Sequence, residues 1–555
     1  MPLVSLPLIA GAVISSTIIY IVTHAYKTTL NYRHVRWGGT RNPTWLKLLY
    51  ARFKNLFFLQ KQYAAFTDEY WSQGEACFVP SLLGDRVCLP SHELDWILEQ
   101  PDNELSNHKA LIEGLQLKHT AAEQYVLDSR SHEKIISRDL TRRLGGLTDV
   151  IADELSAAID QEWGTSQEWK EVNPFATFIK VIARTSNRVF LGLPLCRNEK
   201  LVHSAIAFAT AVVPCANFIR MIPNPLRPVM ILLITLRNRK HRRDLAKIIA
   251  PEIQRRLAQM NSNPNSTKAA APFVPHNDFL QWSIDAALKS ENPRELDANV
   301  LIQRITLVNF AAIHTTTMTA TNAFYDLISC PDSVSIVNEL RQEIQEVLAQ
   351  NDNAWTKYAV SQLHKLDSTL KESGRISPLA ALMVERHVLK PGGMDTPLSK
   401  IHLPQGSVIS VPSLAVHHDP SNYANAKEYR PLRFVEMRTS ASVAATSPPD
   451  NVSTPQPDSR DDDKDYISKP GSNGTKSTAN YNLSTTSPSF LTFSHGRHAC
   501  PGRFFATHEL KLMFAYLIQN YDFEVLNERP ENVWAGAVGI PPMTRTVKVR
   551  RRQGV

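Results

Sequence analysis

A cysteine set among glycines just ahead of a helical run is the feature of this sequence that points most directly to chemistry. Cys500 stands in Phe493-Ser494-His495-Gly496-Arg497-His498-Ala499-Cys500-Pro501-Gly502-Arg503, and a helical run, His508 to Leu517, follows. A tight loop of this kind presents sulfur at a helix N-terminus, where the helix dipole and free backbone N–H groups stabilise a thiolate. Arg497, His498 and Arg503 add positive charge beside it. The other cysteines, Cys77, Cys88, Cys196, Cys215 and Cys330, are widely spaced and form no CxxC pair, so zinc ribbons and thioredoxin-like sites find no support. They read as small buried hydrophobes.

Two further clusters carry reactive types. In Glu372-Ser373-Gly374-Arg375 a carboxylate and a guanidinium stand at i and i+3, on one helix face, where they can pair. Taken alone such a pair is common; Pro431-Leu432-Arg433-Phe434 offers a second arginine downstream. The third cluster, Ala311-Ala312-Ile313-His314-Thr315-Thr316, places an imidazole and a hydroxyl in the middle of a long apolar helix. Histidine relays protons near neutral pH. The plain alternatives are a core histidine satisfied by a neighbour and a threonine bonded to its own helix backbone.

Together these motifs resemble the cytochrome P-450 family of haem-thiolate monooxygenases. Phe493, Gly496, His498, Cys500 and Gly502 fit the family's haem loop, F-x-x-G-x-[R/H]-x-C-x-G. By resemblance Cys500 is the axial iron ligand of haem b, a thiolate that favours O–O cleavage. Phe493 shields the sulfur, and His498, where the family usually has Arg, contacts a haem propionate. Glu372, Arg375 and Arg433 correspond to the family's buried Glu-Arg-Arg network, which is structural. Thr315 takes the role of the hydroxyl that relays protons to dioxygen, with His314 in place of the usual acid and Ala312 in place of the usual Gly. The family's C-helix Trp-x-x-x-Arg is not evident; His132 and Arg138 lie in the corresponding stretch. Phrases such as Arg184-Thr185-Ser186-Asn187-Arg188-Val189-Phe190 and Asn277-Asp278-Phe279-Leu280-Gln281-Trp282 resemble a fungal secondary-metabolism branch with ent-kaurene oxidase-like and indole-diterpene enzymes.

The elements that must hold these residues read as mainly α with a small β region, which is the P-450 fold class. Asp297 to Ile328 runs without Pro or Gly as a central helix. Val337, Leu340, Ile344 and Val347, and then Leu363, Leu366 and Leu370, repeat at helical spacing. Short strands are expected around Ala381–Val384, Val408–Val411 and the C-terminus. No GxGxxG or P-loop is present.

The expected organisation is a membrane anchor over 1–26, a catalytic domain over 27–436 and 489–555, and a disordered polar insertion over 437–488. Met1 to Tyr26 lacks Asp, Glu, Lys and Arg, and Lys27, Arg33, Arg36 and Arg41 follow, which places the catalytic domain on the cytosolic side. A cleaved signal peptide is the rival reading, but its basic n-region is missing. The insertion is rich in Ser, Thr, Asn, Asp and Pro. Leaving it out restores the usual family spacing from Glu372 to Cys500.

Composition agrees with an enzyme of this kind. Hydrophobic residues at 43% and charged residues at 21% exclude a wholly disordered or fibrous chain. A formal charge of +8 over 555 residues is too small for a nucleic-acid binder.

The resemblance thus implies an endoplasmic-reticulum, single-pass monooxygenase. Its electrons come from NADPH-cytochrome P-450 reductase, with cytochrome b5 as a second donor. Its substrate is an apolar small molecule, a terpenoid on the motif phrases, with a polyketide–peptide hybrid as the alternative. A haem-thiolate isomerase or dehydratase, and a catalytically silent haem-binding membrane scaffold, are the competing functions.

Overall fold

The structure is a computed structural model that describes residues 6–38, 44–55, 73–261, 276–446 and 481–553. The principal helices are α1 (Leu6–Tyr32), α2 (Thr148–Trp163), α3 (Pro174–Phe190), α4 (Glu199–Met221), α5 (Arg227–Ile234), α6 (Leu236–Asn261), α7 (Ala298–Ile328), α8 (Ser333–Ala349), α9 (His364–Ile376), α10 (Arg433–Thr446) and α11 (Arg503–Asn520). The strands that organise the two larger sheets are β1 (Arg36–Trp37), β2 (Cys77–Val79), β3 (Arg86–Cys88), β4 (Leu105–Ser106), β5 (Lys170–Val172), β6 (Met383–Val388), β7 (Val408–Val411), β8 (Tyr521–Phe523) and β9 (Val547–Arg551).

The long helix α7 is the centre of the core. Its first turn is capped by the Asp297 carboxylate, which accepts from Asn299 N at 2.7 Å. It packs against α3, α4, α6, α9 and α11. Asn187 on α3 and Asn309 on α7 exchange amide hydrogen bonds of 2.7 and 3.2 Å, so two buried polar side chains satisfy each other at the α3–α7 contact. Helix α8 buries Val337, Leu340, Ile344 and Val347, the periodic positions read from the sequence.

One sheet has the order β1-β2-β3-β7-β6-β4, and a three-stranded sheet has the order β8-β9-β5. The pairs β1–β2 and β3–β7 are parallel and the remaining pairs of the larger sheet antiparallel. The C-terminal half of α1 rests on the larger sheet. Tyr32 stacks on Phe78 at 4.3 Å and its hydroxyl meets Ser407 Oγ at 2.6 Å.

Two expected boundaries shift. The anchor helix does not end near residue 26 but continues to Tyr32, because Ala25, Thr28 and Tyr32 are buried against the domain. Residues 1–5 lie outside the described residues. Among the described residues, the helix that meets the length and hydropathy of a membrane span is α4, and 44% of its apolar window is buried. One face of it, with Leu201, Ala205, Phe208, Val212, Ala216 and Ile219, is buried in the core.

The polar insertion is narrower at both ends than 437–488. Residues 437–446 continue α10, and 481–488 return onto the core, while 447–480 lie outside the described residues. Leu483 is buried and its N–H donates to Asp367 at 2.7 Å. Lys371 Nζ donates to the carbonyls of Asn482 at 2.8 Å and Thr485 at 3.2 Å, over the rings of Phe434 and Phe490. Arg438 on α10 donates to Asn482 Oδ1 at 2.6 Å, so the chain leaves and rejoins the core at neighbouring points. Deleting 447–480 is therefore expected to leave holoprotein yield unchanged. Deleting 437–488 is expected to lower it, because it removes Leu483 and leaves Lys371 buried without acceptors. Haem content per mole of purified chain checks both.

A buried carboxyl joins α3 to α11. Ser186 Oγ donates to Glu509 Oε1 at 3.2 Å, and burial pushes the Glu509 carboxyl up to about 8. Its folded pKa exceeds the ordinary value of 4.5, so the protonated form contributes stability at acid pH that is lost as pH rises toward about 8. Glu509→Gln is expected to remove that loss. The Tm of the variant minus that of the parent should grow across this window; a pH-independent difference would contradict it.

Candidate active site

The cysteine loop is built by backbone turns. Cys500 N donates to Phe493 O at 2.8 Å, and Ala499 N donates to Gly496 O at 3.0 Å across a short 3-10 turn, Gly496–His498. Gly496 adopts φ +72°, and a Cβ there would lie 3.0 Å from Leu98 Cδ2, so both conformation and space call for glycine. A Cβ on Gly502 would lie 4.0 Å from the Cys500 sulfur, ordinary contact distance.

The Cys500 thiol sits ahead of α11. Burial pushes its pKa up, while the Gly502 and Arg503 N–H groups and the Arg503 charge pull it down. Phe493 is half-buried against the main core beside the loop.

His498 does not stand free beside the loop. Its Nε2 meets Asp102 Oδ1 at 2.6 Å, and Arg497 approaches the same carboxylate at 3.5 Å while donating to the Gln100 carbonyl. The loop is thus docked on the 94–102 segment by the Arg497 guanidinium and the His498 imidazole, whose pKa burial lowers.

Glu372, Arg375 and Arg433 come together in one buried network. Arg375 grips Glu372 with two parallel bonds of 2.8 Å, and Arg433 Nε donates to Glu372 Oε1 at 2.9 Å. Side-chain exposures are 0% for Glu372 and Arg375 and 4% for Arg433, which excludes a solvated surface pair. The remaining guanidinium donors take the carbonyls of His417, Ala426 and Glu428 from Arg375, and of Ala424, Asn425 and Glu428 from Arg433. The network therefore fixes the loop 417–430 to α9.

On α7, Ala311 and Thr315 are exposed in the middle of a helix that is otherwise buried or half-buried from Val300 to Ile328. They are one turn apart, so one face borders accessible space inside the fold. Thr315 Oγ1 donates to Ala311 O at 2.5 Å, a back-bond that leaves the hydroxyl oxygen as acceptor. The helix runs continuously through Ala312. His314 points to α4, where its Nε2 meets Thr210 Oγ1 at 3.0 Å. Burial pushes it down to about 4, so it is neutral at pH 7. Ile313, between Ala311 and Thr315 on the helix, is fully buried in the core.

Sequence reasoning missed Arg386. It is 1% exposed on β6, its Nη1 donates to Glu385 O at 2.9 Å, and its Nη2 has no partner among the described residues. The signal was its register: Val384, Arg386 and Val388 are the inward positions of the strand, and an arginine among valines is out of place in a core. His132 is similar. Its Nδ1 is buried without a partner among the described residues, and burial pushes the imidazole down to about 4. Arg138, its companion in the sequence reading, is exposed and paired with Asp139.

Comparison with known proteins decides what this arrangement is. The family model described as Cytochrome P450 matches residues 114–549. The chain belongs to the cytochrome P450 family.

Cytochrome P450 monooxygenase gloP of Glarea lozoyensis is 29% identical over 559 residues, covering 98% of this chain and 97% of that protein. Cytochrome P450 monooxygenase htyF of Aspergillus rugulosus is 33% identical over 471 residues, covering 82% of this chain and 64% of that protein. Cytochrome P450 monooxygenase astC of Aspergillus terreus is 29% identical over 524 residues, covering 93% and 90%. The P450 is accordingly an oxygen-incorporating oxidoreductase whose cofactor is haem with a cysteine-thiolate axial ligand. The family draws electrons from redox partners and acts on small molecules.

The residues present fit that group. A thiol at a helix start supplies a thiolate, and the partnerless buried nitrogens of Arg386 and His132 suit anionic propionates.

Proposed function

We propose that this P450 oxidises an apolar secondary metabolite, a terpenoid, in fungal natural-product biosynthesis, with electrons from NADPH-cytochrome P-450 reductase and from cytochrome b5. The single observation that carries the site assignment is the cysteine loop, its thiol accepting from the N–H groups that open α11. In this reading Cys500 holds the iron, Arg386, His132 and His498 hold the propionates, and Phe493 covers the sulfur. Haem, when bound, supplies the activation of dioxygen.

The chain's own residues do the rest. Thr315 Oγ1, anchored on Ala311 O, accepts a proton at its oxygen and passes on its own. His314, held neutral at working pH by burial, orients Thr210 through its Nε2. Ala311 and half-buried Phe310 present an apolar wall beside Thr315, which supports a substrate with few polar groups.

Thr315→Ala is expected to leave haem content intact while peroxide rises relative to product. Unchanged coupling would move the proton path to His314. The substrate class is tested by spectral titration. Diterpenes or indole-diterpenes should shift the iron from low to high spin. Silence there with a clear shift for tetramic acids or pyridones would favour the polyketide–peptide alternative.

We also place the chain in the endoplasmic-reticulum membrane through the segment 1–26, with the catalytic domain cytosolic. Ile14, Ile18 and Ile19 on α1 are 55–65% exposed, which supports a helix whose apolar side meets lipid.

A further inference from the structure

Helix α4 carries a proline in its interior, Pro214, on the face turned away from the core. Proline has no N–H, so the carbonyl of Thr210, four residues back, loses its helical donor, and the pyrrolidine ring pushes that carbonyl outward. Thr210, Val213 and Pro214 are all exposed. Thr210 nevertheless touches α7, where His314 Nε2 meets its Oγ1 at 3.0 Å. His314 adjoins exposed Thr315 in sequence and lies one turn from exposed Ala311. This face of α4 therefore borders the same interior space as Ala311 and Thr315.

The hydrogen-bond directions in this wall are fixed. Thr210 Oγ1 donates its one proton to Ile206 O at 2.7 Å, so it accepts from His314, and the imidazole carries its proton on Nε2. His314 Nδ1 is thus a bare acceptor, buried with no partner among the described residues. Thr315 spends its proton on Ala311 O at 2.5 Å, and Thr319 spends its own on Thr315 O at 2.8 Å. Burial alone lowers the His314 pKa, with no charged side chain contributing. Each of these donors is used inside the protein. What they leave toward the space is lone pairs, on the Thr210 carbonyl and on the Thr315 hydroxyl oxygen.

We propose that the Thr210 carbonyl, freed by Pro214, is a specificity-determining acceptor of the substrate site, and that it selects apolar substrates bearing a hydroxyl or N–H donor. The inference rests on the reading that the space beside Thr315 receives the substrate, and it adds the polar group that this substrate must carry. A donor placed on the carbonyl holds an otherwise apolar molecule in one orientation against α7. A ketone, ether or carboxylate at the same place sets acceptor against acceptor and leaves both unpaired in an apolar site. The selection is for the donor, whatever skeleton stands behind it.

The test uses Pro214→Ala in the full-length holoprotein. Alanine restores the N–H, and with it the helical bond to the Thr210 carbonyl, and it removes a proline from a helix interior, so the variant is expected to fold. Its carbon monoxide band confirms a loaded site. The probes are three matched pairs: a diterpene alcohol and its methyl ether, an indole-diterpene and its N-methyl form, and a pyridone and its N-methyl form. The dissociation constant of each is read from the shift of the iron from low to high spin. In the pair that shifts the iron, the parent protein should bind the donor roughly three- to ten-fold tighter than its methylated partner. Pro214→Ala should erase that preference by weakening the donor alone. The bulk of the methyl group is common to both proteins and cancels in the comparison. A preference of the same size in both proteins, or none in the parent, would overturn the inference while leaving the pocket in place. No shift with any of the six compounds would overturn the inference together with the reading beneath it.

Discussion

Cys500→Ser is expected to abolish the carbon monoxide difference band that marks a haem-thiolate protein. The effect should be all-or-none, because the other five cysteines are all buried and stand outside the loop's sequence. Four features converge on Cys500. Its own N–H is tied to Phe493 O, the Gly502 and Arg503 N–H groups face its sulfur, and Arg503 lies beside it. Gly496 supplies the left-handed turn that brings the loop round. The substitution keeps the size of the side chain and removes only the soft ligand, so loss of the band with a folded chain isolates the ligand role. A band that persists in the variant would place the ligand elsewhere.

The second large effect is structural. Glu372→Ala is expected to leave Arg375 and Arg433 buried with no carboxylate, and Arg375→Ala to leave Glu372 with half its partners. Removing one member of a buried pair costs about 3–5 kcal/mol, which is a large share of the stability of a domain. Little holoprotein should accumulate from either variant. The expected loss extends beyond the network, because Arg375 and Arg433 together make six hydrogen bonds to five carbonyls of the 417–430 loop, sharing that of Glu428. Haem content and soluble yield measured on the purified variants check this, and normal values in both would refute the structural role.

The parts of this account that were legible in the sequence are those set by local chemistry. A cysteine between glycines, a Glu and Arg one turn apart, and periodic leucines each declare their geometry over a few residues, and the fold places them accordingly. What was not legible depends on contacts between distant segments. Asp102 meets His498 from far earlier in the chain, and Thr210 meets His314 from a neighbouring helix. Neither pairing leaves a trace in local spacing. Arg386 lay between the two cases. Its inward register in a strand of valines was readable, but its partnerless nitrogen required the packed structure. The polar segment was bounded by composition, and composition could not register that Leu483 and Asn482 return to the core within it.

Oxygen isotope incorporation distinguishes a monooxygenase from an isomerase or dehydratase. The holoenzyme, supplied with reductase, NADPH and heavy-isotope dioxygen, is given whichever compound of the titration panel shifts its spin state. The product is expected to carry one labelled oxygen atom per insertion, with the other atom of dioxygen reduced to water. A product bearing no label from dioxygen, or an isomerised or dehydrated product formed without NADPH, would contradict it.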